Sequence, residues 1–283
     1  QAEDGIRDPL WSRGLGDVYK RQDIGAVRSD LVEEQEALDR IISGISLSDW
    51  DLDTASPGWS VADQIAHLAY FDNAAALAIA SPDKFQESVE DLLEMYSRGE
   101  NAEDAILSPY RAMESSELLE AWREARLNLA EKSRTLSSDS RVVWYGPSMG
   151  SKSFLTARLM EVWAHGQDIL DAIDFDRDET DRLHHIAQLG FITRSWSFIN
   201  RGQEPIDTPV KVILKSPSGD TWEFGPQDAE ESVTGSALDF CLLVTQRRNL
   251  KDTSLNISGK AALEWMKIAQ AFAGPATDGP GPR

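Results

Sequence analysis

The segment Arg158-Leu-Met-Glu161-Val-Trp-Ala-His165-Gly-Gln-Asp168 constrains the fold more than any other stretch of this chain. Leu155, Leu159, Val162, Ile169 and Ile173 recur around it at helical spacing and define one core-facing stripe. On the shoulder of that stripe stand Glu161 and His165, one turn apart, with Asp168 two turns beyond Glu161, so that all three leave the helix on one side. Such a Glu–His pair has two uses. It stabilises a helix by about 0.2–0.5 kcal/mol, or it supplies half of a divalent-metal site, because a carboxylate oxygen and a neutral imidazole nitrogen suit such a cation.

The chain has 283 residues, enough for about two domains, and 41% of them are hydrophobic, so a sizeable core is available. Lys and Arg number 28 against 48 Asp and Glu, a formal charge of −20. That balance disfavours nucleic acid and anionic membranes as partners, since phosphate binding needs positive charge. No apolar run approaches the length of a membrane span, and no secretory signal pattern is present. The single cysteine, Cys241, lies in the apolar run Leu238-Asp-Phe-Cys-Leu-Leu-Val244 and reads as a packing residue. Without a disulfide framework, the expected compartment is the cytoplasm.

Residues 1–22 lack periodicity and end in Asp17-Val-Tyr-Lys-Arg-Gln22, which resembles a translated sequencing adapter; a non-native, unstructured segment is expected there. From Ile24 to Ile45 the spacing predicts an amphipathic helix. Trp50 anchors the loop that follows. Ser60 with Asp63 three residues on forms a capping box for a second helix, with Val61, Ile65, Leu68 and Ala75 inward and His67 beside that face. An accessory helix is expected over Pro82 to Gly99. A third long helix, capped by Ser115 or Ser116, turns Leu118, Trp122, Ala125 and Leu129 inward. A loop from Val142 to Gly150 carries Trp144 and Tyr145 to the start of the Glu161–His165 helix, where with Arg158 they are candidates to line a pocket. One further helix is expected from Thr180 to Asn200, with His184 and His185 as surface or interhelical residues.

The pattern then changes. Val210–Leu214 and Thr221–Phe224 alternate around a Ser216–Gly219 turn and predict a β-hairpin. A strand near Glu231, a helix from Ser236 to Gln246, a strand at Ser254 to Ile257 and a last helix from Ala261 to Phe272 complete the expectation. The fold class is therefore mainly α: a helical bundle over residues 23–202, a boundary at Arg201–Thr208, a small α+β domain over 208–274 and a disordered Gly/Pro-rich tail over 275–283.

Two of these segments carry a resemblance. Pro57-Gly-Trp59 followed by Ser60-Val-Ala-Asp-Gln-Ile-Ala-His67-Leu resembles the first metal motif of the mycothiol-dependent maleylpyruvate isomerase metal-binding domain, a DinB-like four-helix bundle. Glu161-Val-Trp-Ala-His165-Gly-Gln-Asp168 is similar to its second. The resemblance runs from Asp23 to Gly274. It implies that His67, Glu161 and His165 are metal ligands and that Asp168 supports the helix or the ligands. The Trp-Tyr-Gly-Pro loop and the Leu238–Arg248 segment resemble an uncharacterised actinobacterial-type subfamily. The C-terminal part is similar to a wyosine-base-formation domain and, more loosely, to sterol-carrier-like domains.

What the resemblance implies about function is a divalent metal, zinc by preference, that activates the thiolate of a low-molecular-weight cofactor such as mycothiol toward an electrophilic small molecule, by isomerisation or S-transfer. Two other readings stand beside it. A non-catalytic metal or small-molecule binding module would share the fold, since fold does not fix function. A role in tRNA base modification would follow the C-terminal likeness but runs against the −20 charge. Arg247 and Arg248 read as favourable charge at a helix C-terminus, with an anion contact for the cofactor as the functional alternative.

Overall fold

The computed structural model describes residues 23–99 and 101–283, so the expectation for residues 1–22 lies outside the described residues. Two compact units divide the chain, Gln22–Asp176 and Arg177–Arg283.

In the first unit, α1 (Ile24–Ile42), α2 (Val61–Ala80), α5 (Ser115–Ser133) and α6 (Ser151–Ala172) form a four-helix bundle, with α3 (Pro82–Ser97) and α4 (Ala102–Arg111) as accessory helices. The apolar stripes read from the sequence meet in its interior: Leu38, Ile65, Leu68, Leu118, Trp122, Leu129, Leu155 and Leu159 are all buried, while α1 ends at a buried Ile42 rather than running on to Ile45. Each such side chain contributes about 1.5–3 kcal/mol when removed from water. Trp50 is buried as well, in a short 3-10 turn at Leu47–Asp51.

The capping box at the head of α2 is present. Ser60 Oγ accepts from the Asp63 N–H at 3.3 Å, and Asp63 Oδ2 accepts from the Ser60 N–H at 3.0 Å. Arg111, at the end of α4, donates to the other oxygen of Asp63 at 2.7 Å. Helix α4 was not expected: it carries Pro109 inside its span, a residue that normally argues against helix, and among its described side chains only Leu107 is an apolar residue fully buried. At α5 the N-cap is Glu114, not Ser115 or Ser116; the Glu117 carboxylate accepts from the Glu114 N–H at 3.0 Å, and the helix starts one or two residues earlier than expected. The loop before α6 contains a two-residue antiparallel ladder, β1 (Arg141–Val142) with β2 (Met149–Gly150).

The second unit begins earlier than the Arg201–Thr208 boundary expected from the sequence. Helices α7 (Leu183–Ile192) and α8 (Arg194–Ile199) belong to it, because α7 packs on α9 (Ala237–Val244). Gly190 permits that contact: a Cβ there would lie 2.7 Å from a Val244 methyl. The single helix expected over Thr180–Asn200 is broken at Thr193, whose hydroxyl donates to the Leu189 carbonyl at 2.8 Å, a local bond that bends helices. His185 is buried, and His184 packs edge-on against Trp222 at 4.9 Å.

Strands β3 (Val210–Lys215), β4 (Thr221–Phe224), β5 (Glu231–Ser236) and β6 (Asn256–Ser258) form one sheet in the order β4-β3-β5-β6. The β3–β4 hairpin is antiparallel, with Val212 opposite Phe224. Strand β5 runs parallel to β3, and β6 antiparallel to β5. Cys241 is buried in α9, and α10 (Lys260–Ile268) closes the core with Trp265. The expected disordered tail has neither helix nor strand, yet it is tied down: Gln246 Nε2 donates to the Thr277 carbonyl at 3.1 Å and Asn249 Nδ2 to the Pro280 carbonyl at 2.8 Å. Its Gly/Pro composition removes regular structure without removing backbone carbonyls that side chains can hold. No helix among the described residues is long and apolar enough to cross a membrane.

Candidate metal centre

The cap at Ser60 sets where α2 begins, which places His67 two turns along on the face toward α6. Glu161 and His165 stand one turn apart in the middle of α6. Packing of α2 on α6 brings the three together. His165 Nε2 lies 3.1 Å from Glu161 Oε2 and His67 Nε2 lies 3.6 Å from the same oxygen. One ligand atom from each of the three falls within 4.8 Å of the others, the one such His/Cys/Asp/Glu cluster among the described residues. In a tetrahedral zinc site with bonds of about 2.1 Å, ligand atoms stand about 3.4 Å apart. The observed spacing needs only small side-chain rotations to match.

The cluster is not sealed. The side chains of His67, Glu161 and His165 keep 17%, 25% and 12% of their exposure. Burial lowers the His67 pKa to about 3, reinforced by the neighbouring His165 and only partly opposed by Glu161. His67 is thus held as the neutral imidazole that a metal requires. Burial alone would raise the Glu161 carboxyl, but hydrogen bonds to His165 and His67 outweigh it and hold Glu161 well below the ordinary carboxylate range.

Aromatic rings wall the cluster. Trp59 stacks near-parallel to His165 with centroids 6.0 Å apart, and Phe71 sits 4.5 Å from His67. Phe71 continues into a group containing Trp144 and Tyr145: Trp144 stacks on Phe85 at 5.4 Å, and the Tyr145 hydroxyl donates to that of Tyr70 at 3.2 Å. Both candidates from the loop therefore reach the site through Phe71. Arg158 differs from the expectation of an open pocket wall. It is 4% exposed and ion-paired to Asp72, with its guanidinium over the Phe71 ring. Asp168 is also buried, and accepts from the Ser56 hydroxyl at 3.5 Å. A separate groove of about 610 Å³ opens between α2, α4 and α5, lined by Tyr70, Tyr110 and Met113 among others and by none of the three clustered residues.

One residue at the cluster had not been singled out. Gln64, fully buried one turn before His67, places Oε1 2.6 Å from His165 Nδ1. A buried glutamine beside a candidate ligand is a signal in itself, because its amide must find partners.

The bundle unit coincides with a known domain. Residues 31–170, just under half of the chain, match the mycothiol maleylpyruvate isomerase N-terminal domain. Over 253 residues, 89% of this chain and 97% of the relative, it is 41% identical to the uncharacterized protein Rv0036c of Mycobacterium tuberculosis, and equally so to its counterpart in a second strain of that organism. Among solved structures it is similar to the mycothiol-dependent maleylpyruvate isomerase, with a TM-score of 0.51 and 17% identity over 85% of this chain and 94% of that one. A histidine-to-alanine mutant of that enzyme gives a TM-score of 0.50 at 17% identity over 80% and 90%. At that identity the likeness establishes the fold.

Proposed function

We propose that this protein is a divalent-metal-dependent enzyme, with zinc the favoured metal, that uses a low-molecular-weight thiol of the mycothiol type to isomerise or conjugate an electrophilic small molecule. The observation that carries the reading is the convergence of His67, Glu161 and His165 on one point, within a segment that matches the isomerase domain. Two imidazoles and one carboxylate are a donor set that suits zinc, and three protein ligands leave a coordination position for a further one.

A zinc ion bound there would lower the pKa of a coordinated thiol, so that the thiolate is available at neutral pH. The chain's own residues define what the centre accepts. Glu161 is the single anionic side chain of the three, so the centre retains net positive charge that an anionic ligand completes. Trp59 and Phe71 flank the imidazoles and keep them from rotating toward solvent. The aromatic group at Trp144 and Tyr145 offers an apolar face beside the polar point, the combination typical of small-molecule sites.

The test is metal analysis of the purified protein, followed by calorimetric titration with mycothiol and an assay over a panel of electrophiles that includes maleylpyruvate. Stoichiometric metal, thiol binding only to the loaded protein and thiol-dependent turnover are expected. Loaded protein that neither binds the thiol nor turns over any member of the panel would leave a metal-binding module without this chemistry.

A further inference from the structure

We infer that Gln64 is a positioning residue that fixes the tautomer of His165, leaving Nε2 as the metal-facing atom; the metal half of this statement rests on the function proposed above, whereas the tautomer does not. The argument starts at Thr54. Its hydroxyl donates to the Trp59 carbonyl at 2.9 Å, and a carbonyl can only accept, so the one hydroxyl proton is committed there. Thr54 Oγ1 also lies 2.8 Å from the Gln64 amide, and toward it the hydroxyl can only accept. The amide atom facing Thr54 must therefore be the nitrogen. The second amide proton goes to Ser56 Oγ at 3.1 Å, which leaves the Ser56 proton free for the Asp168 carboxylate.

With both amide protons spent, the atom that Gln64 turns to His165 is Oε1, an acceptor. At 2.6 Å from Nδ1 it requires that Nδ1 carry the proton. A neutral His165 then has its lone pair on Nε2, so the 3.1 Å contact with the Glu161 carboxylate is a hydrogen bond only where Nε2 also holds a proton, and a ligand contact where a metal ion takes that proton's place. Two acceptors at that distance repel unless a proton or a metal ion lies between them. The chain Asp168–Ser56–Gln64–His165 thus delivers a lone pair to the point where the other two ligand atoms converge. Gln64 has no exposed surface, so water does not compete for its amide.

The partner of His165 is a neutral amide, whereas many metal-bound histidines are backed directly by a carboxylate. Here the carboxylate, Asp168, stands two hydrogen bonds further back. The amide orients the ring without adding negative charge next to the centre, which preserves the positive charge that draws an anionic ligand.

The experiment uses three variants of the full chain, Gln64→Leu, Gln64→Glu and Thr54→Val, each checked for fold by circular dichroism. Two readouts apply: nitrogen-15 imidazole spectra of the metal-free protein at a pH where His165 is neutral, and zinc affinity by competition with a chromophoric chelator. In the wild type the His165 proton is expected on Nδ1 alone. Gln64→Leu should mix the tautomers and weaken zinc binding by about 10–100-fold. Gln64→Glu, which keeps an acceptor, should hold the Nδ1 tautomer and most of the affinity. Thr54→Val should admit the second tautomer while leaving Gln64 in place, and it decides the matter if Gln64→Leu fails to fold. A wild-type proton on Nε2, or a single unchanged tautomer in both Gln64→Leu and Thr54→Val, overturns the inference. Wild-type protein with the Nδ1 tautomer but no zinc affinity would instead sink the proposed function and leave the Gln64 assignment of the tautomer standing.

Discussion

Arg158 and Asp72 meet at 3.2 Å inside the bundle, with neither side chain more than 4% exposed, one turn before Glu161 and just over one turn after His67. Gln35 donates to the second Asp72 oxygen at 2.9 Å. Burial pushes the Asp72 carboxyl up, against the opposing pull of Arg158 and Gln35. Removing one charge strands the other: Asp72→Leu and Arg158→Met are each expected to lose about 3–5 kcal/mol. The double variant Asp72→Leu/Arg158→Met should lose less than either single change, since no uncompensated charge remains. Urea unfolding of the four proteins checks this, and additive losses would show that the pair does not act as a unit.

His165→Ala should abolish stoichiometric zinc binding while the bundle stays folded. The apolar seam of α6, including Leu155, Leu159, Val162 and Ile169, is complete without the cluster. Two remaining ligands are too few to hold the ion against water. Metal content is expected to vanish with a shift in the metal-free melting temperature of no more than about 4 °C, equivalent to about 1 kcal/mol. A variant unfolded at room temperature would mark the cluster as a structural element.

Asp39 gives a pH signature. It ties α1 to α5 through Arg123, which donates at 2.7 Å, and through Arg126. Burial acts to raise its pKa, but the bonds to Arg123 and Ser43 and the charge of Arg126 outweigh it and leave it below 3.8. A carboxyl depressed on folding contributes stability that is complete above its unfolded pKa and is lost as pH falls through the folded one. Asp39→Asn is therefore expected to be less stable than wild type by about 2 kcal/mol at pH 7. The gap should persist down to about pH 4 and narrow below it. Thermal melts from pH 7 to pH 3 measure it; a gap that grew on acidification would reverse the sign.

Gly190→Ala tests the second unit. The added methyl would press into Val244 and Phe240 on α9. Overpacking of this kind costs about 1–3 kcal/mol. Gly190→Ala/Val244→Ala should recover part of the loss, read as the unfolding midpoint in urea.

Elements with strong local codes were legible in the sequence. The Ser60–Asp63 capping box, the apolar stripes of the four main helices and the β3–β4 hairpin all carry their own period or cap. So does the one-turn spacing of Glu161 and His165. What resisted reading depends on distant packing or on one atom. Helix α4 holds Pro109 and is anchored by Arg111 to Asp63, a contact that no local pattern encodes. The break at Thr193 depends on a single hydroxyl choosing a backbone carbonyl. The early start of the second unit follows from α7 packing on α9, some fifty residues ahead in the chain. Gln64 carries no periodic signature; its part at the cluster emerges only when the Thr54 loop and α6 close around it.

Gln64 and His165 lie 101 positions apart in the chain, and the cluster they serve is split the same way between α2 and α6. During synthesis, His67 leaves the ribosome long before Glu161 and His165 exist. A nascent chain, or one truncated before α6, has a lone imidazole in place of a chelating set and is a poor competitor for scarce cellular zinc. On the proposed reading, metal uptake would follow the closure of α6 on α2, and an occupied centre would certify that the bundle around it has been finished.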